Sequence, residues 1–287
     1  MTYEQAKSKK IVRSLVGGLL IINLVLWLAV FSGSSLNPAV YFINVGQGDS
    51  QLIVLEDNIK ILIDGGPPGA LAKPLADILP TNDRYIDLVI NSHPELDHMG
   101  GLIDVLKNYQ IGAFVGTGRK GNSPEYHALI KIIKGKNIPY ITLHEGSKIK
   151  IGESILEILS PSSAEITSAN LNDTAIVAQL KTPSYSALFT GDINFSTEAR
   201  LTSKYDLQTD ILKIAHHGSK YSSSEDFLDA VNPQIAVIEV GKNNYGHPTQ
   251  ETLNRIKEFT NQIFQTLQLG TVQISGDSTD LRINTQK

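Results

Sequence analysis

Four potential metal-ligating side chains, His93, Glu95, Asp97 and His98, fall within six consecutive residues of the segment SHPELDHMGG, Ser92 to Gly101. An apolar run, 86–91, precedes it and a helical pattern, 100–108, follows. Pro94 disfavours helical geometry at His93. In an extended segment alternate side chains share one side, so His93, Glu95 and Asp97 converge while His98 opens the next helix. Like charges packed this closely repel one another unless a cation holds them. A solvated polar loop is the alternative reading. The glycine pair Gly100-Gly101 and further clusters downstream argue against it.

Those clusters sit at the ends of other apolar runs. Thr190-Gly191-Asp192 follows Ala187-Leu188-Phe189, and a carboxylate there can bridge two cations. Ala215-His216-His217-Gly218-Ser219 follows the run 210–215. Adjacent histidines at a strand end point in opposite directions, so one ligates and the other meets substrate or supports a ligand. Asn243-Asn244-Tyr245-Gly246-His247-Pro248 precedes a helix that Thr249 can cap. Two glycine turns, Asn44–Ser50 with Asp49 and Ser50, and Asp64-Gly65-Gly66, permit close backbone approach. Alone, each is ordinary turn chemistry.

Short β-type runs recur at 39–45, 50–55, 59–63, 86–91, 111–116, 148–151, 154–159, 174–180, 185–190, 210–215, 235–240, 271–275 and 280–284. Helical spacing fits 70–79, 100–108, 124–135, 195–203, 224–231 and 249–259. Strands come first in meanders, helices are interspersed later, and no repeat of 20–50 residues is visible. That order suits two sheets packed face to face with helices outside. Periodicity alone does not separate this layout from other α/β arrangements.

Composition narrows the chemistry. With no cysteine, disulfide scaffolds, thiolate zinc sites and Cys nucleophiles are excluded, so a metal must be held by His, Asp, Glu or Asn. The net charge is −4. Residues 1–34 hold four basic side chains against Glu4, which leaves 21 basic and 28 acidic side chains beyond them, a net −7. Such a body is a poor global partner for DNA without bound cations or a local basic patch.

Between Lys7, Lys9, Lys10 and Arg13 and the linker Ser32–Pro38, Leu15 to Phe31 is apolar but for Asn23. The pattern predicts a membrane-spanning helix in residues 1–35, with the N-terminus cytoplasmic by the positive-inside bias, followed by a catalytic domain, 36–287, outside the membrane. A cleaved signal peptide, giving a secreted domain, is the competing reading.

Taken together, VGQGDS, IDGG, SHPELDHMGG, an Asn-containing turn before a strand, LFTGD, AHHGS and YGHP resemble the metallo-β-lactamase superfamily, and more narrowly its ComEC-type competence hydrolase domain. The resemblance runs from Tyr41 to Asn284. It implies an α/β fold, an αββα sandwich of two mixed sheets with outer helices, and two divalent metal ions, zinc or manganese, at one edge. It implies His93 and Glu95 at the first metal, Asp97 and His98 at the second, Asp192 bridging, and His216 or His217 completing the second. The superfamily's second histidine is Glu95 here. Its middle histidine has no match, and Asn172-Asp173-Thr174 stands in that place. His127 and His144 match no motif and read as structural or surface residues.

The function so implied is a metal-dependent phosphodiesterase or nuclease acting on DNA, with competence or uptake machinery as a partner and the oligomeric state left open. Asp97 and His247 are its catalytic candidates; Asp49, Ser50, Asp64, Asn172, Ser219 and Asn244 are candidates for substrate contact or ligand support. A hydrolase of another ester on the same fold, and a metal-binding module without turnover, are the alternatives.

Overall fold

The computed structural model describes the backbone of residues 3–32, 38–277 and 279–286, and the side chains of 13–27, 38–277 and 279–286. The chain divides into two compact units, Met1–Leu36 and Asn37–Lys287. The first contains one helix, α1 (Tyr3–Ser32). The expected membrane span is corrected here: among the described residues no helix is long and apolar enough to cross a membrane. The side chains described in α1 run from Arg13 to Trp27, with Ser14, Gly17, Gly18 and Asn23 among them. The single-pass membrane placement expected of residues 1–35 loses its support with it. Most of the linker read at Ser32–Pro38, residues 33–37, lies outside the described residues.

The second unit opens with β1 (Ala39–Phe42), β2 (Gln51–Val54) and β3 (Lys60–Ile63), an antiparallel meander. There follow α2 (Ala72–Ile78), β4 (Tyr85–Ile90), α3 (Leu96–Met99), α4 (Leu102–Asn108), β5 (Gln110–Gly116), α5 (Pro124–Gly135) and β6 (Tyr140–Thr142). Next come β7 (Lys148–Ile151), β8 (Ser154–Ser160), β9 (Val177–Lys181), β10 (Ser186–Phe189), α6 (Phe195–Lys204), β11 (Ile211–Lys213), α7 (Glu225–Val231) and β12 (Ile235–Ile238). The chain ends in α8 (Gln250–Phe259), β13 (Gln262–Gln265), α9 (Thr266–Leu269), β14 (Thr271–Asp277) and β15 (Asp280–Gln286).

Two mixed sheets result. One has the order β15-β14-β1-β2-β3-β4-β5-β6 and the other β13-β12-β11-β10-β9-β8-β7. Their facing sides share one core, in which Val40, Phe42, Ile53 and Ile90 meet Ile158, Ala178, Phe189 and Val237. Phe42 and Phe189 bridge the sheets with ring centroids 6.3 Å apart. The outer face of the second sheet buries Leu188, Leu212 and Ile238 beneath α6, α7 and α8. The two-sheet sandwich with outer helices is therefore present.

Local chemistry explains the helix starts. Ser123 accepts a hydrogen bond from Tyr126 N and Pro124 occupies the first turn of α5, while Asn194 and Thr249 cap α6 and α8 in the same way.

The topology gathers the polar motifs at one edge. Strands β3 to β6 run parallel in the first sheet, and β10 to β13 run parallel in the second. Segments after β3, β4, β10, β11 and β12 carry Asp64, His93–His98, Asp192, His216-His217 and Glu239. Carboxyl ends of parallel strands are where crossovers leave a crevice. Backbones approach closely there: Asp49 N donates to Asp97 O at 3.1 Å and Gly65 N to His98 O at 2.5 Å. Gly101 has an ordinary helical φ of −71°, but a side chain there would enter the van der Waals envelope of Gly65 O. Replacing Gly101 by Ala is expected to lower stability by about 1–3 kcal/mol through overpacking. Urea denaturation checks this, and an unchanged midpoint would contradict the close apposition.

Candidate metal centre

Asp64 organises the first half of the site. It adopts a left-handed φ of 56° just after β3. Its carboxylate accepts from Ser92 N at 2.7 Å and Ser92 Oγ at 2.5 Å, and takes His98 Nδ1 at 2.8 Å. With its proton given to Asp64, the Ser92 hydroxyl is left to accept from His93 Nδ1, 2.9 Å away. His217 is held likewise, its Nδ1 donating to the Glu239 carbonyl at 2.9 Å. A histidine that donates through Nδ1 presents a lone pair at Nε2, the arrangement that suits a metal ligand. The Nε2 atoms of His93, His98 and His217 are all buried without a hydrogen bond, as is Asp192 Oδ1.

These atoms converge. His98 Nε2 lies 3.3 Å from Asp192 Oδ2, and His217 Nε2 lies 3.5 Å from both Asp97 Oδ2 and Asp192 Oδ2. His93, His98 and Asp192 form one group with donor atoms within 4.8 Å of one another, and Asp97, His98 and His217 form another. Three unsatisfied imidazole nitrogens facing carboxylates fit divalent cations in nitrogen–oxygen coordination.

The geometry separates the adjacent histidines. His217 is buried and joins Asp97 and His98, whereas the His216 side chain is 31% exposed and its Nε2 lies 3.8 Å from Asp192 Oδ2. Strand alternation does not set this difference. Both residues have left-handed φ values, 50° and 53°, in a tight turn after β11. Glu95 is more peripheral, 36% exposed with Oε2 3.8 Å from His93 Nε2. Asn172 sits in the turn Leu171–Thr174 with its Oδ1 buried and unpartnered. The hydrogen bond from Ile176 N to Ser92 O, 3.0 Å, keeps the following segment beside the His93 loop.

Beneath the ligands lies a layer that motif reading passed over. Lys213, 1% exposed, pairs with Asp49 and donates to Gly191 O at 3.0 Å. Asp49 Oδ1 is also 3.2 Å from His217 Nδ1. Glu239, fully buried, accepts from Ser50 N at 3.0 Å and from Gln51 Nε2. A lone charge inside the apolar runs ILKIA and IAVIEV was the available signal for Lys213 and Glu239.

Burial alone would disfavour every charge here, but the neighbours reverse it. The Asp192 and Asp49 carboxylates overcome desolvation and push His217 up to about 10. Asp192, Asp49 and Asp64 likewise raise His98 well above its ordinary value. Against desolvation, its interaction with His217 and the charge of His98 hold Asp97 at about 2. The charges of His217 and His98 depress Asp192 well below the usual carboxylate range despite its burial. His216 and His247 go the other way: burial lowers both.

Other predicted residues have local duties. Ser50 Oγ donates to Asp64 O at 3.1 Å, and Ser219 Oγ accepts from Tyr221 N at 3.3 Å, so both hydroxyls fix turns. Asn244 is exposed; its neighbour Asn243 shapes the loop by accepting from Tyr245 N and His247 N at 3.0 and 3.1 Å. His127 and His144 are on the surface. A cavity of about 480 Å³ opens over the ligands, lined by Asp97, Asp192, His216, His217, Tyr245 and His247 among others.

The profile described as "Metallo-beta-lactamase superfamily" matches residues 43–241. The chain belongs to the metallo-beta-lactamase superfamily. This superfamily member is 26% identical over 253 residues to "ComE operon protein 3" of Bacillus subtilis (strain 168), covering 82% of this chain and 32% of that protein. It is 29% identical over 242 residues to "Competence protein ComA" of Neisseria gonorrhoeae, covering 82% of this chain and 32% of that protein. Its relatives are thus ComEC-like competence proteins, and it spans about a third of their length. The metallo-beta-lactamase fold protein YhfI from Bacillus subtilis shares the fold, with a TM-score of 0.56 at 11% identity over 86% of this chain and 100% of that one.

Protonated imidazoles must lose their protons to bind metal. With His217 near 10 and His98 raised, uptake of Zn²⁺ or Mn²⁺ by this superfamily member at pH 7 is expected to release protons. Affinity should fall as pH falls and rise toward pH 10. Calorimetric titration in buffers of different ionisation enthalpy reads the release directly; buffer-independent heats would refute it. Lys213→Met removes one of the positive charges facing buried Asp49, leaving only the His98 and His217 rings beside it, and is expected to cost about 3 kcal/mol in the metal-free protein, measured by urea unfolding.

Proposed function

We propose that this protein is a metal-dependent phosphodiesterase acting on DNA. The observation that carries the reading is the convergence of the unpartnered Nε2 atoms of His93, His98 and His217 on Asp192 and Asp97 at the floor of an open cavity. His93, Glu95 and Asp192 would hold one cation; Asp97, His98, His217 and Asp192 the other. Bound there, two divalent ions, zinc or manganese, would lower the pKa of water and neutralise charge on a phosphoryl group.

The chain's own residues supply the rest. Asp64 and Ser92 fix the His93 and His98 rings, and the Glu239 carbonyl fixes His217. His247 lines the cavity, and burial with the nearby His216 keeps it neutral at pH 7. A neutral imidazole is suited to donating an N–H to a phosphate oxygen rather than delivering a full proton to a leaving group. Tyr245, 76% exposed on the same cavity, offers a face on which a nucleobase can stack. The competence proteins among its relatives support DNA as the polymer and uptake machinery as its setting.

Alanine at Asp97 or Asp192 is expected to abolish metal-dependent hydrolysis of single-stranded DNA and of bis-p-nitrophenyl phosphate, a loss of about 10²-fold or more. Full activity in either variant would sink the reading. Nitrocefin cleavage without phosphodiester cleavage would replace DNA with a lactam, and metal uptake without turnover on any of these would make the protein a binding module.

A further inference from the structure

A second cleft, of about 540 Å³, adjoins the cavity over the metal ligands and shares with it the wall Glu95-Leu96-Asp97. Its other side is the loop between β5 and α5, including Arg119 and Lys120. That loop is braced against the ligand segment. A Cβ at Gly121 would stand 3.1 Å from Pro94 Cβ and 2.9 Å from the Tyr126 ring, so only glycine lets the two segments close. Tyr126 OH further holds Arg119 O at 3.4 Å, and Arg119 N donates to Thr117 Oγ1 at 3.3 Å. The backbone under the two cations is therefore fixed relative to His93–Asp97.

The cations themselves are uncommitted. Elsewhere in the second unit the arginines have partners: Arg200 pairs with Glu145 and Glu165, Arg255 with Glu251, Arg282 with Asp280, and Arg84 lies over the Tyr109 ring. Among the described residues, neither Arg119 nor Lys120 forms an ion pair, and Arg119 Nε is buried without a hydrogen bond. A guanidinium left so in a body of net −7 lacks an internal reason for its place. An anion arriving from outside supplies one, because a guanidinium fork matches phosphate oxygens.

We propose that Arg119 and Lys120 form a phosphate subsite for a single DNA strand whose scissile phosphate lies over Asp97 and Asp192. Resting on the phosphodiester reading above, this makes the enzyme selective for a polymer over an isolated diester. The strand runs from the cavity past Glu95-Leu96-Asp97 into the second cleft, where a neighbouring phosphate meets the two cations. It also reconciles an acidic chain with an anionic substrate: the basic field is local, and it sits beside the reaction site.

The test compares the wild type with the double variant R119A/K120A. The kcat/KM for a single-stranded oligonucleotide is expected to fall about ten-fold further than that for bis-p-nitrophenyl phosphate, which has no second phosphate. Fluorescence anisotropy of a labelled oligonucleotide with the metal-free protein gives a readout independent of turnover. Losing two phosphate contacts lowers the slope of log affinity against log salt by about 1.4. The exchange R119K/K120R restores most of that slope. Equal losses on both substrates, or an unchanged salt slope, overturn the subsite. If neither substrate is cleaved, the phosphodiester reading fails, while the salt slope still decides whether the strand binds here.

Discussion

Buried charge of opposite sign governs this structure. Asp49, Asp64 and Asp192 are all but inaccessible to water, and the rings that meet them, His98 and His217, are buried too. Desolvating so many carboxylates is costly, and only neighbouring positive charge makes it sustainable. Lys213 supplies part of that charge from below, against Asp49. Protonated imidazoles supply the rest. The sandwich is shaped to permit this: parallel strands of both sheets end at one edge, and glycine contacts bring the β1–β2 turn and the segments after β3 and β4 within hydrogen-bonding distance.

Much of the fold could be read from residues because local signals agreed. Helix α5 falls on 124–135 as its spacing predicts, with Ser123 and Pro124 marking its start. Buried strands such as β8 and β12 stood out as apolar runs between turns. Strand β6 escaped notice because all three of its residues are exposed, and an edge strand with no buried side carries no alternation. Strand β13 is only partly buried and merges into the short α9.

The site was legible in its motifs and illegible in its supports. His93, Asp97, His98 and Asp192 meet although a hundred residues separate the first from the last. Which of His216 and His217 joins them depended on two left-handed residues in succession, a conformation no residue pattern there announces. Of the adjacent asparagines in the loop Asn243–Pro248, Asn244 is the sequence candidate, yet Asn243 carries the hydrogen bonds. Helix α1 illustrates the opposite error: an uncharged run suggested a bilayer span, yet among the described residues no helix is long and apolar enough to cross a membrane.

The bond from His217 Nδ1 to the Glu239 carbonyl has an evolutionary corollary. The acceptor is a peptide oxygen, so it persists whatever side chain occupies position 239. The ring's orientation is thus set in part by the path of the chain, with Asp49 Oδ1, 3.2 Å from the same nitrogen, as a second partner. A substitution at position 239 can therefore change the charge and hydration beneath this ring while its backbone acceptor stays in place.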